Sequence, residues 1–121
     1  MTIHIVFVVK YRRKIFEKHA FSLSEKIFAD TCDRLECKLV EFGGEGDHVH
    51  LLVSLSPKVA ICKLVGRLKG CSSYVLRKTM RKEISSRLWG KHLWSPSYCV
   101  VSCGGASLDV VKSYVANQGK A

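Results

Sequence analysis

Leu39-Val40-Glu41-Phe42-Gly43-Gly44-Glu45-Gly46-Asp47-His48-Val49-His50-Leu51-Leu52-Val53 reads as two strands folded back on each other. Leu39 to Phe42 begins one strand, the glycine-rich run Gly43-Gly44-Glu45-Gly46 is expected to make the turn, and the histidine strand returns. Side chains on a strand alternate between its faces, so His48 and His50 point one way while Val49, Leu51 and Val53 point the other. Leu52 follows His50 on the histidine side, which leaves the strand apolar on both sides of the pair. Two imidazoles on neighbouring same-face positions are close enough to share one divalent metal. They are equally compatible with two incidental histidines on a half-exposed strand, because His-x-His is not a rare tripeptide.

The rest of the chain supplies the partners of that hairpin. Ile3 to Val9 is an apolar, β-branched run suited to a central strand. Ser22-Leu23-Ser24-Glu25 reads as a capping box opening a helix whose apolar stripe is Leu23, Ile27, Phe28, Thr31 and Leu35. Ser56-Pro57 reads as an N-cap with proline at the first helical position. It precedes a long helix face of Ile61, Leu64, Val65, Leu68, Val75, Leu76 and Met80, expected to break or bend at Gly70. Tyr98 to Cys103 is the fourth strand. Gly104-Gly105 then marks a turn, Ser107 an N-cap and Asp109 an acid suited to a helix start. In the helix that follows, Leu108, Val111 and Val115 form the stripe, and Tyr114 and Gln118, four apart, lie one above the other. The order β-α-β-β-α-β-α predicts one domain over residues 1–121. It is an α+β, ferredoxin-like sandwich, the plan of RNA-recognition domains, with a C-terminal helix carrying the tyrosine.

Charge narrows the partner. The chain of 121 residues carries a formal net charge of +10 with a pI near 9.5. Between Lys58 and Lys91 there are ten basic residues against one acid, Glu83, and Lys10, Arg12, Arg13 and Lys14 form a second cluster. Such crowding repels itself on one domain, and a phosphate backbone relieves the repulsion. Six cysteines form no Cys-x-x-Cys pair and are expected to be buried small hydrophobes in a reducing cytosol. No run is long enough to span a membrane, and no signal peptide is visible.

Five ordered motifs now carry a resemblance. They are His4-Ile5-Val6-Phe7-Val8-Val9-Lys10-Tyr11-Arg12-Arg13-Lys14, Asp47-His48-Val49-His50-Leu51-Leu52, Leu68-Lys69-Gly70, Leu88-Trp89-Gly90-Lys91-His92-Leu93-Trp94-Ser95-Pro96-Ser97-Tyr98, and the Tyr114-to-Gln118 helix. Together they resemble the small single-tyrosine HUH transposases of bacterial and archaeal insertion sequences, which move single-stranded DNA. The resemblance implies His48, His50 and Gln118 as metal ligands and Tyr114 as the nucleophile. It implies a divalent cofactor, Mg²⁺ in cells with Mn²⁺ active at least as well, since two imidazoles suit Mn²⁺ better. It also implies a cytoplasmic prokaryotic enzyme working as a homodimer, in which the tyrosine of one subunit can serve the histidines of the other. The substrate is single-stranded DNA with a hairpin near each element end. Arg12, Arg13, Lys14, Lys63, Arg67, Lys69 and Arg77 are the expected DNA contacts.

The chain starts almost on its first strand and stops three residues after Gln118, which leaves a shortened working enzyme and a decayed copy both open. Two further readings remain at this stage. An inactive single-strand-binding module would keep the basic face but not the Tyr114/Gln118 register, and a hydrolytic metallonuclease would use water in place of the tyrosine.

Overall fold

The computed structural model describes residues 1–9, 18–79 and 93–102. The elements run β1 (Thr2–Val9), α1 (Lys18–Arg34), β2 (Lys38–Glu45), β3 (His48–Ser54), α2 (Ile61–Thr79) and β4 (Trp94–Ser102). The four strands form one sheet in the order β2-β3-β1-β4, with every neighbouring pair antiparallel. This is the split β-α-β arrangement expected of the ferredoxin-like α+β sandwich. The expected C-terminal helix, with Gly104, Gly105, Tyr114 and Gln118, lies outside the described residues, as do Arg12, Arg13, Lys14, Met80 and Cys103.

Strict alternation sorts β1 and β3 into two faces. Ile3, Ile5, Phe7 and Val9 with Val49, Leu51 and Val53 line one face and meet Ala20, Phe28 and Cys32 of α1 and Leu64, Val65, Leu68 and Leu76 of α2. The centre of this core is aromatic. Phe7 stands 6.1 Å from Phe28 and 5.6 Å from Trp94, ring centre to ring centre, and each fully buried side chain of this size contributes roughly 1.5–3 kcal/mol. The polar end of Trp94 is not stranded, because Nε1 donates to Ser72 Oγ at 2.9 Å and that hydroxyl donates to Leu68 O at 2.6 Å.

Several element boundaries differ from those expected. α1 is already helical at Lys18, so Ser22 and Ser24 sit inside it rather than capping it. Ala20 is fully buried and Phe21 packs edge-on against Phe42, so this part of the helix is anchored by packing. Ser56 does not open α2. Its hydroxyl accepts from Lys58 N and its carbonyl from Val59 N, which makes a turn, and Ala60 O receives the first helical amides from Lys63 and Leu64. α2 then runs through Gly70 without a break. β4 begins at Trp94, four residues before the expected start, and carries Pro96, which an edge strand tolerates. Of the described cysteines, Cys32 and Cys37 are buried as expected. Cys62 and Cys99 are exposed and Cys71 is intermediate, and all five are free thiols.

The most consequential difference lies in the hairpin. Gly43 and Gly44 do not turn; they are paired residues of β2, opposite His50 and Val49, and the turn is only Gly46-Asp47. An irregularity between Leu39 and Glu41 inserts Val40, so that Leu39 and Phe42 both face the core while Glu41 stands opposite Leu52 on the other face. Gly44 has a φ of 151° and a Cβ there would collide with the His48 carbonyl oxygen, so only glycine fits that position.

Candidate active site

Residues paired directly across an antiparallel ladder share a face. His48 therefore lies beside Val8 and Glu45, His50 beside Val6 and Gly43, and Leu52 beside His4 and Glu41. All of these are on the face turned away from the helices, and β3 is an inner strand with neighbours on both sides. The expected parity of the histidine pair holds.

The two imidazoles sit in different surroundings. His48 Nδ1 lies 2.9 Å from Asp47 Oδ1, with both side chains mostly covered. An ionised carboxylate only accepts, so Nδ1 carries the proton and the lone pair of neutral His48 is left on Nε2. Asp47 is itself fixed, because its carbonyl accepts from Val9 N at 2.9 Å. His50 makes no such bond: its Nδ1 is buried without a hydrogen-bond partner among the described residues. A third imidazole stands nearby, that of His4, whose ring centre is 5.9 Å from that of His50 in an edge-on arrangement. His4 is almost wholly buried.

Electrostatics favour the neutral form of His50 and His4. Burial pushes the His50 imidazole below its ordinary range, the neighbouring His48 pushes the same way, and Glu41 opposes them. His4 is lowered first by burial and then by His50. Neutral imidazoles have the free lone pair that metal coordination requires. The same shifts tie stability to pH. Groups whose folded pKa is depressed bind more protons when unfolded, so stability is fully present above about pH 6.5 and declines as pH falls below it. The melting temperature of the metal-free protein is expected to drop between pH 7 and pH 5, and to drop less in a His4→Gln variant. A flat profile across that window would refute the coupling.

The donor set fits a divalent cation. One imidazole has its tautomer fixed by a carboxylate, the usual outer partner of a metal-bound histidine, and the other has a buried nitrogen without a partner. Among the described residues no three His, Cys, Asp or Glu side chains group closely enough to hold a metal. A complete shell thus requires a further ligand, the place given above to Gln118. Asp47, His4, Glu41 and Gly43 were not singled out in the sequence. A histidine inside an otherwise apolar strand, at the parity that matches His50 across the sheet, was the signal for His4.

The expected DNA contacts divide. Lys63 and Arg67 are exposed on α2, and Arg77 is half-buried. Lys69 is occupied within the fold, its Nζ donating to Ser95 O at 2.8 Å and lying 5.6 Å from the centre of the Tyr98 ring, so it fastens α2 to β4. Burial lowers its pKa. No helix among the described residues is long and apolar enough to cross a membrane.

Known proteins resemble this chain in sequence and fold. The chain is 29% identical over 115 residues to the ISDra2 transposase TnpA of Deinococcus radiodurans, covering 95% of this chain and 81% of that protein. It is 27% identical, again over 115 residues, to the transposase for insertion sequence element IS200 of Salmonella typhimurium, covering 95% and 74%. A crystal structure of a protein assigned as a transposase from Deinococcus radiodurans superimposes with a TM-score of 0.78 at 27% identity, over 98% of this chain and 90% of that one. A REP-associated tyrosine transposase bound to a REP hairpin shares the fold, with a TM-score of 0.67 at 10% identity over 94% of this chain and 61% of that one. The IS200-like transposase family matches residues 1–118, and with that match spanning almost the whole chain, the protein belongs to the IS200-like transposases.

Proposed function

We propose that this transposase cuts and rejoins single-stranded DNA at hairpin-marked element ends through a 5′-phosphotyrosine intermediate. The observation that carries this reading is the pair His48/His50, side by side on the face away from the core, with burial lowering the pKa of His50 and Asp47 bonded to Nδ1 of His48.

Tyr114 is the nucleophile. A phenol has a pKa of about 10, so it is a weak nucleophile until its proton is drawn off. Its oxygen attacks phosphorus, the bond from phosphorus to the 3′-oxygen breaks, and the phenol proton is balanced by the one the leaving 3′-hydroxyl takes up. One phosphodiester is exchanged for another, so a different 3′-hydroxyl can reverse the step, with neither ATP nor a hydrolytic water. A divalent cation, Mg²⁺ in the cell and Mn²⁺ as a working substitute, held by His48, His50 and Gln118, would offset charge on the scissile phosphate oxygens. Two subunits act together in the cytoplasm beside the chromosome, the tyrosine of one serving the histidines of the other. Lys63 and Arg67, exposed on α2, are the favoured phosphate contacts, whereas Lys69 is committed to β4.

The test uses labelled DNA bearing an element end. A hairpin-bearing single strand should give a protein–DNA adduct that survives denaturing electrophoresis, and the same sequence annealed to its full complement should give none. Duplex stiffness is the reason, because a phosphate presented beside a hairpin needs a sharply bent backbone. Equal cleavage of both forms, without an adduct, would make the protein a hydrolytic nuclease.

A further inference from the structure

Gly43 lies in the middle of β2, where glycine weakens a strand and packs nothing. Its φ is not in the left-handed region, so the backbone does not demand glycine, unlike at Gly44. What demands it is the ring of His50. A Cβ at residue 43 would lie 2.8 Å from His50 Cε1 and 3.1 Å from Nε2, with no backbone atom among its three nearest neighbours. The imidazole therefore lies in the space that a side chain would fill. Across β3, on the β1 side, the His4 ring meets it edge-on. His48 has a carboxylate to aim it; His50 Nδ1 has no hydrogen bond among the described residues, which leaves its orientation to the shape of its surroundings and the field of Glu41.

We propose that Gly43 is a positioning residue for the metal site: its missing side chain is the seat of the His50 ring, and His4 closes the opposite side. This rests on the reading of His50 as a metal ligand. Gly43→Ala makes the cleanest probe, because the added methyl meets only the end of a side chain, which swings aside while the strand stays paired. Gly44→Ala one residue on would strike backbone, and reports fold alone.

The experiment has two readouts. In the metal-free protein labelled at histidine, Gly43→Ala should shift the imidazole resonances of His50, and those of His4 beside it, while leaving His19 on α1 unmoved. Titrated with Mn²⁺ alone, the variant should bind about 10- to 100-fold more weakly than the parent, the range for loss of an outer partner of a metal ligand. In a His50→Ala background the same Gly43→Ala change should cost no further affinity, since the ring it displaces is gone. Unmoved His50 resonances, or an affinity loss as large without His50 as with it, would overturn the proposal. A parent protein that binds no Mn²⁺ would overturn the metal reading instead, and the resonance shift would still decide the seat.

Discussion

Tyr114→Phe is expected to abolish the covalent protein–DNA adduct while leaving hairpin binding within about twofold of the parent. The substitution removes one oxygen and keeps the ring. Loss of a nucleophile lowers turnover in a covalent enzyme by up to the order of a millionfold, far below what a gel detects. Binding, on the proposed reading, depends on cationic contacts such as Lys63 and Arg67, which the change does not touch, and on their number through counterion release. A gel-shift titration beside the denaturing gel separates the two effects. An adduct of unchanged yield from the Phe variant would exclude Tyr114 as the attacking group.

His48→Ala and His50→Ala should each eliminate cleavage, and a chelator should do the same to the parent protein until metal is returned. Each variant removes one of two imidazoles from a shell that the described residues do not otherwise complete. Gln118→Ala should be milder, because a neutral amide is the weakest of the three ligands and water can replace it. The two histidine variants should differ in what else they disturb. His48→Ala removes one hydrogen bond to Asp47 Oδ1, whereas His50→Ala removes a ring whose buried Nδ1 has no partner among the described residues. The metal-free His50→Ala protein is thus expected to be the more stable of the pair in urea. Full cleavage in chelator would remove metal from the reaction.

The face on which His48 and His50 stand was legible from β3 alone, because strand parity is strict and Val49, Leu51 and Val53 leave no doubt which face is the core. The ends of the elements were not. Gly43-Gly44 looked like a turn because glycine is the common turn residue, yet the two-residue Gly46-Asp47 connection suffices and frees the glycines for pairing. Ser22 and Ser24 carried a capping pattern that packing of Ala20 and Phe21 overrode. The inserted Val40 shifts which residues of β2 face the core, and no local pattern announces it. Lys69 was one of several basic residues in the sequence; only its bond to Ser95 sets it apart from Lys63 and Arg67. His4 and Gly43 escaped for a shared reason: each matters through a neighbour distant in sequence. The Tyr114/Gln118 register, read from helical spacing, lies outside the described residues.

The central place of β1 has a consequence for how the molecule is made. Ile3 is hydrogen-bonded in register with Val53 on one side and Ser102 on the other. β1 leaves the ribosome before both of its partners, β3 and then β4. The β2–β3 hairpin, by contrast, is local and closes early. A strand as apolar as Ile3 to Val9 therefore waits with both edges open until β3 emerges and with one edge open until β4 does, and such a strand invites pairing with other nascent chains. Slowing translation between β1 and β3, which prolongs the stage with both edges open, should lower the yield of folded protein more than slowing it between β3 and β4.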